Sequence, residues 1–488
     1  MPSFRDIADD VRNAAQALIE YGSQLAQPTV RLGVTGLSGA GKTVFITALV
    51  HHLLHGGRLP VFEAFASGRI AGARLEPQPD DAVPRFDYEA HANALLAERR
   101  WPESTRQVSE LRLAIDYQSA RGRERTLTLD IVDYPGEWLL DLPLLRTSYA
   151  EWAAATLTLS RTGARRALAA GWHAHLATLR PDAPEDEQQA LAAARLFTDY
   201  LRACRDQRYA MSLLPPGRFL MPGDLAGAPA LAFAPLEAPG EQAPGAGSLW
   251  SMMERRYEAY KSVVVRPFFR DHFARLDRQI VLIDALAAFN AGPEAVSDLE
   301  RALAAILACF RSGRATWTSA LFRPRIDRIL FAATKADHLH HTSHDPLERI
   351  LSRMTAAAIA RAEFAGAAID VVALAAVRAT REAQVARGRE RLPAIIGTPI
   401  AGESVGGETF DGAAEVAAFP GDLPEDPEVL FTPEGAFKGT SAGAIAEADF
   451  RFLRFRPPRA EAVDGSAPLL PHIRLDRALQ FLLGDRLA

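Results

Sequence analysis

"GLSGAGKT", residues 36–43, lies between an apolar run and a stretch with helical spacing. It satisfies G-x-x-x-x-G-K-[ST] through Gly36, Gly41, Lys42 and Thr43, with Gly39 as a further glycine inside the loop. The pattern carries meaning only between a strand and a helix. "TVRLGVTG" (29–36) is apolar and β-branched, like a short buried strand. "KTVFITALVHHLLH" (42–55) spaces Val44, Ile46, Ala48, Leu49 and Leu53 as a helix does. Glycines let the loop backbone, from Ser38 and Gly39 through Ala40 to Val44, aim its N–H groups at phosphate beside the positive end of that helix. Lys42 is expected to reach the outer phosphate oxygens, and the Thr43 hydroxyl to hold Mg2+. The loop specifies a nucleoside triphosphate without choosing its base.

The rest of the chain bounds the answer. At 488 residues, two or three cores, or one domain with large insertions, are expected. A hydrophobic share of 48% and a charged share of 24% are those of a globular protein, and a net charge of −5 gives no ground for nucleic acid binding. No apolar run of transmembrane length occurs, and "MPSFRDIADDVRNAAQ" lacks the apolar segment of a signal peptide, so a cytoplasmic location is expected. Cys204 and Cys309 lack metal-site spacing and read as buried, reduced thiols. Of 55 lysines and arginines only four are lysine: Lys42, Lys261, Lys335 and Lys438. Where any positive charge suffices the chain uses arginine, so a lysine marks a position that wants a compact ammonium on a flexible stem.

Periodicity divides the chain into five parts. Residues 1–27 hold an amphipathic helix that ends before Pro28. Residues 28–143 form the first part of a nucleotide-binding core. After the P-loop helix comes a mixed, Pro-rich stretch (56–105), then "SELRLAIDYQ" and "ERTLTLDIVDYPGEW", two alternating segments that read as an antiparallel hairpin. Residues 144–278 turn rich in Ala, Leu and Arg with helical spacing, a helical insertion broken by "LLPPGRFLMPGDL" and "APLEAPGEQAPGAGS". Residues 279–385 resume α/β alternation, with strands over 278–286, 325–337 and 367–377 and helices over 293–311 and 345–364. Short, nearly continuous apolar strands suit a mostly parallel sheet buried on both faces. Residues 386–488 are short β-like pieces followed by a closing helix. The expected fold class is therefore α/β: a P-loop core with a mixed, mostly parallel Ras-like sheet, a large helical insertion and a small C-terminal β-containing region.

Three further motifs address the base. "DYPG" matches D-x-x-G at the end of a strand. Asp133 is expected to hold Mg2+ through water and the Gly136 N–H to meet the γ-phosphate. "TKAD" matches [NT]-K-x-D through Thr334, Lys335 and Asp337, again at a strand end, where parallel sheets bind ligands. The Asp337 carboxylate suits the N1–H and 2-amino donors of guanine, and the Lys335 stem lies along the base. Adenine offers neither donor and would leave a buried carboxylate unpaired. "ALAAVR" (373–378) ends the last core strand and is positioned like a backbone loop that meets the guanine oxygen, making Ala376 and Val377 contact candidates beside Ala375. In the Ras-like class a switch threonine precedes the hairpin. Thr105 of "WPEST" holds that place, with Ser104 a rival, as a ligand of Mg2+ or the γ-phosphate. Glu137 stands where Ras-like proteins carry the residue that orients the attacking water.

With these motifs in hand, the chain resembles the YcjX-like bacterial stress proteins, a family of predicted P-loop nucleoside triphosphatases. The resemblance rests on "GLSGAGKTVFITALVHHLL", "WPESTRQVSELRL", "DYPGEWLLDLPLL", "LLPPGRFLMPGDL", "RYEAYKSVVVRPFFRDHFARLDRQIVLIDAL" and "TKADHLH", and spans nearly the whole chain. It implies a cytoplasmic nucleotide-binding core with a helical insertion, linked to stress responses. The family is described as ATP-binding as readily as GTP-binding, so the choice of guanine rests on TKAD.

Together these readings predict a GTPase that binds GTP or GDP with Mg2+ and uses Lys42, Thr105 and Glu137 in hydrolysis. The alternatives are an ATPase and a nucleotide-dependent interaction protein with negligible turnover. An unknown protein partner is expected at the insertion or the C-terminal region. Glu137 brings negative charge to a site that needs positive charge, so slow turnover is expected, raised by an arginine from the insertion or from a partner. "DHLHHTSH" gathers His338, His340, His341 and His344 without standard zinc spacing and reads as a solvated loop. Tyr257, Tyr260 and Val264 read as core, with Lys261 a phosphate or partner contact at most.

Overall fold

The computed structural model describes residues 28–37, 39–103, 105, 107–240, 245–309, 326–364, 366–387, 390–405, 407–431, 452–459 and 468–488. The expected helix over 4–27, Ser38, Ser104 and Lys438 lie outside them, as does the Cys309 side chain.

Seven strands form the central sheet: β1 (Thr29–Gly36), β2 (Ile70–Glu76), β3 (Ser109–Gln118), β4 (Glu124–Asp133), β5 (Arg278–Ile283), β6 (Arg328–Ala333) and β7 (Ala368–Ala373). Their order is β2-β3-β4-β1-β5-β6-β7. From β4 to β7 every pairing is parallel, while β2–β3 and β3–β4 are antiparallel. This is the mixed, mostly parallel sheet of a P-loop fold. Register fixes the functional edge. Val34 pairs with Asp133, Gly36 with Leu282, Ile283 with Ala333 and Ala333 with Ala373, so the four motifs leave the sheet at one end.

The helix α1 (Lys42–His55) starts directly from the P-loop and ends at Gly56, whose φ of 71° provides the left-handed C-cap. Between β4 and β5 the chain is helical, starting with a run of 3-10 turns over Gly136–Arg146. The helix α2 (Tyr149–Ser160) starts with a reciprocal Ser148–Glu151 capping box. Asp186 caps α3 (Glu187–Arg205) through the N–H groups of Gln188 and Gln189, and Ser248 caps α4 (Leu249–Tyr260). These elements share an aromatic core in which Trp152, Trp172, Phe197, Phe233 and Tyr257 are buried. Trp138 and Trp250 are buried in the same core.

The helices α5 (Pro293–Cys309) and α6 (His344–Phe364) cover one face of the sheet through Leu299, Leu303, Leu347 and Leu351. The opposite face is covered by α1 and by α7 (Leu475–Leu483), with Leu479, Leu482 and Leu483 buried against Val30 and Leu32. The fully buried Arg278 ties the chain's end to β5 by a bidentate pair with Asp485, at 2.6 and 2.7 Å. Beyond β7 the chain adds a small antiparallel sheet of β8 (Arg381–Arg387), β9 (Glu390–Gly397) and Val416–Ala418.

Several elements differ from the sequence reading. The stretch 56–105 holds β2 and a helix, Tyr88–Leu96, although its apolar residues are sparse, because β2 is a half-exposed edge strand. The strands expected over 325–337 and 367–377 are shorter. Thr334 N–H still bonds Ile283 C=O and Leu374 N–H bonds Ala333 C=O, but Lys335 then takes φ 60° and turns the chain out of the ladder. The "DHLHHTSH" segment is no solvated loop: His338, His340 and His344 are buried, and of its histidines only His341 is exposed.

Candidate functional site

The P-loop is shaped by glycines at positions where a side chain has no room or no allowed conformation. Gly39 and Gly41 take φ of 76° and 84°, left-handed values that other residues adopt at a cost. A Cβ at Gly136 would fall 1.7 Å from the Gly36 carbonyl oxygen, so D-x-x-G lies directly on the P-loop backbone. That same oxygen accepts a 2.8 Å hydrogen bond from Lys42 Nζ. The ammonium is thus held over the loop, where an outer phosphate oxygen would compete for it.

Beside it, three side chains from separate motifs form one chain of contacts. Thr105 Oγ1 donates to Asp133 Oδ2 at 2.7 Å and stands 3.3 Å from Thr43 Oγ1. Burial pushes the Asp133 carboxyl up to about 6, against the pull of the Lys42 ammonium, the Thr105 hydroxyl and the Tyr134 N–H. Its second oxygen, Oδ1, is buried with no hydrogen-bond partner among the described residues. An orphaned carboxylate oxygen beside two hydroxyls is a hard, all-oxygen donor set of the kind Mg2+ takes. These residues fit the ion.

The cavity that starts at the P-loop has a volume of about 280 Å³ and runs to TKAD, bringing Gly39, Lys42, Thr43 and Val44 into one space with Thr334, Lys335 and Asp337. Ala376 and Val377 line its far end. Asp337 is buried; its Oδ2 accepts the Ala379 N–H at 2.7 Å, and its backbone oxygen accepts the Thr380 hydroxyl. Segment 379–380 therefore holds Asp337 in place, and its Oδ1 makes no hydrogen bond among the described residues. Lys335 pairs with Asp284. Burial lowers the His338 pKa, so this neighbour of Asp337 is neutral at pH 7.

Among the lining residues that no sequence motif marks are Trp101, Ile400, Arg454 and Phe455. Trp101 Nε1 donates to the Phe455 carbonyl at 2.7 Å, and the Phe455 ring meets His338 edge-on at 5.5 Å. The C-terminal β region thus closes the TKAD end of the cavity. No short motif marks residues some 120 positions beyond TKAD, although Trp101 belongs to the quoted "WPEST" stretch.

Glu137 also lines the cavity, yet it is only 5% exposed rather than at the surface. Its Oε1 meets Arg205 Nη1 at 3.5 Å. A Cβ at Gly217 would fall 1.9 Å from the Glu137 carbonyl oxygen, so the "PPGR" loop presses on this backbone. Arg218 then stacks on Trp138, 3.2 Å from the ring centroid. Asp141 accepts from Tyr260 OH and Gly217 N–H, each at 2.6 Å, and burial pushes its carboxyl up to about 7. The segment after D-x-x-G is thereby fastened to the insertion. Lys261 is not a phosphate contact: Nζ bonds Thr147 C=O at 2.9 Å and Glu258 at 2.7 Å. Cys204 is a buried free thiol. His340, His341 and Glu382 bring one ligand atom each within 4.8 Å of one another, with His341 bonded to Glu382 at 2.7 Å.

Residues 30–487 match the model of the YcjX-like family, DUF463. The chain is 38% identical to the "Ras-like GTPase YcjX" of Escherichia coli (strain K12), over 98% of this chain and 99% of that protein. It is 37% identical to the "Ras-like GTPase YcjX" of Shewanella oneidensis (strain MR-1), over 94% of each. No helix among the described residues is long and apolar enough to cross a membrane. With its match running almost from end to end, the chain belongs to the YcjX-like family.

Proposed function

We propose that this chain binds GTP with Mg2+ and hydrolyses it to GDP and phosphate. The observation that carries the reading is one cavity with Lys42 and Thr43 at one end and Asp337 at the other. The relatives' name, Ras-like GTPase, supports the same reading. The P-loop amides and Lys42 bind the phosphates, and Thr43, Thr105 and Asp133 would hold Mg2+, which would supply charge neutralisation to the phosphates. The Gly136 N–H meets the γ-phosphate, and Glu137 orients the attacking water as an acceptor. Asp337 reads the guanine donors, Lys335 and Thr334 support the base, and Ala376 and Val377 flank it.

We assign residues 28–143 and 279–385 to the nucleotide-binding core, 144–278 to the insertion and 386–488 to the C-terminal region. Loss of the γ-phosphate frees the loops around Thr105 and Gly136, and a partner at the insertion or C-terminal region senses the change. A cytoplasmic switch in a stress response is the setting this family resemblance supports. Single-turnover hydrolysis of GTP tests the reading. The parent turns GTP over, and Lys42→Ala binds it at least about tenfold more weakly, having lost a charge-assisted contact worth about 1.5–3 kcal/mol or more. Glu137→Ala binds GTP normally but hydrolyses it about tenfold or more slowly. A parent that binds GTP without turnover is instead a nucleotide-dependent interaction protein.

A further inference from the structure

Glu137 poses an electrostatic difficulty for any hydrolysis at this site. It follows Gly136 directly and brings a carboxylate, nearly excluded from water, towards the place where an anionic γ-phosphate must sit. In phosphoryl transfer the equatorial oxygens carry the spreading charge, and positive groups around them supply most of the rate. Lys42 is committed to the P-loop side, bonded to the Gly36 carbonyl. A further cation is needed on the Glu137 side.

The described residues bring one there from the insertion. Arg205 ends α3, and its guanidinium meets Glu137 through a single contact of 3.5 Å. It makes no other hydrogen bond or ion pair among the described residues, and its side chain is 33% exposed. The chain's structural ion pairs look different. Arg112 grips Asp130 with two bonds of 2.6 and 2.8 Å, and Arg255 grips Glu185 with two of 2.9 Å. Arg205 is instead loosely held, with most of its five donors unused. Gly39, Ala40, Glu137 and Arg205 also line one cavity of about 890 Å³, so the tip of α3 and the P-loop face one space. The insertion fixes this geometry through Gly217 on the Glu137 carbonyl and through Asp141, so the distance between α3 and the D-x-x-G segment is set by packing.

We propose that Arg205 is a catalytic arginine supplied by the chain to its own site, aimed by Glu137 in the resting protein and turned onto the transferring phosphoryl group during hydrolysis. The proposal rests on the GTPase reading above. In the step it serves, the water oxygen forms a bond to the γ-phosphorus. The bond from that phosphorus to the β–γ bridging oxygen breaks, its electron pair stays on GDP, and the water proton passes to a phosphate oxygen. The guanidinium neutralises charge on the γ-oxygens and the bridging oxygen and takes no proton itself. Glu137 then has two tasks, orienting water and aiming Arg205.

Two readouts test it in the full chain: single-turnover GTP hydrolysis, and capture of GDP with aluminium fluoride, a mimic of the transferring phosphoryl group. Arg205→Ala is expected to bind GDP within about threefold of the parent, to hydrolyse GTP at least about a hundredfold more slowly, and to lose the fluoride-dependent capture of GDP. Arg205→Lys is expected to stay slow, because an ammonium lacks the planar fork. Arg202→Ala, one turn earlier and paired with Asp199, is expected to behave as the parent. If Arg205→Ala hydrolyses GTP and captures GDP–aluminium fluoride like the parent, or if Arg202→Ala loses both equally, the proposal is overturned while the GTPase reading stands. A parent that neither hydrolyses GTP nor captures the mimic overturns both.

Discussion

Thr105 Oγ1 lies 2.7 Å from Asp133 Oδ2 and 3.3 Å from Thr43 Oγ1, so three motifs far apart in sequence share one hydrogen-bonded cluster. The contact has a direct consequence for metal dependence. Thr43→Ala and Thr105→Ala each remove one oxygen from the donor set while leaving the Lys42 contact in place. Both variants are expected to bind GTP with at least about tenfold less strengthening by Mg2+ than the parent, as one charge-assisted ligand is worth about 1.5–3 kcal/mol. Titrating GTP with and without Mg2+ checks this. An unchanged Mg2+ effect in both variants removes these hydroxyls from the metal site.

Gly136 has no space for a side chain, since a Cβ would sit 1.7 Å from the Gly36 carbonyl oxygen and that atom is backbone. Gly136→Ala must push the D-x-x-G segment off the P-loop. The expected result is a lowered urea midpoint together with a loss of preference for GTP over GDP, because the γ-phosphate contact moves away. Parent-like stability and preference would mean that the two segments do not touch in solution.

Asp141 couples the insertion to pH. Burial lifts its carboxyl from the ordinary 3.8 to about 7, against the Tyr260 hydroxyl, the Gly217 N–H and the Arg218 guanidinium and N–H that face it. Between these two values the folded protein keeps a proton that the unfolded chain releases. This group's contribution therefore favours folding at low pH, falls as pH rises through that window and levels off above it. Asp141→Asn abolishes the titration. Urea midpoints measured at about pH 5 and about pH 7.5 should fall more in the parent than in the variant. Parallel changes in both would show that Asp141 is ionised throughout.

The convergence of these motifs on one cavity was legible because each is a short, fixed spacing at a strand end. "GLSGAGKT", "DYPG" and "TKAD" each sit where an apolar run stops, and the register of β1, β4, β5, β6 and β7 carries them to one edge. What escaped depends on tertiary contact. Phe455 and Arg454 reach the cavity because Pro399 bridges to Phe455 and Arg454 pairs with Glu403, relations that no local pattern encodes. The buried histidines misled for a related reason. A polar string reads as solvated, yet His344 Nε2 bonds the Ala336 carbonyl at 2.9 Å and supports the TKAD loop from beneath. The arginine expected from the insertion or from a partner has no local signature, since any of many arginines satisfies the composition.

Base selection is the centre of the account, and competition binding against a fluorescent GDP analogue measures it most directly. GTP and GDP are expected to displace the probe at least about a hundredfold better than ATP, because adenine offers a buried Asp337 carboxylate neither an N1–H nor a 2-amino donor. Asp337→Asn is expected to weaken guanine nucleotides and strengthen xanthine nucleotides, whose 2-carbonyl accepts from the new amide. ATP competing as well as GTP in the parent would contradict the account and leave an adenine-nucleotide site in its place.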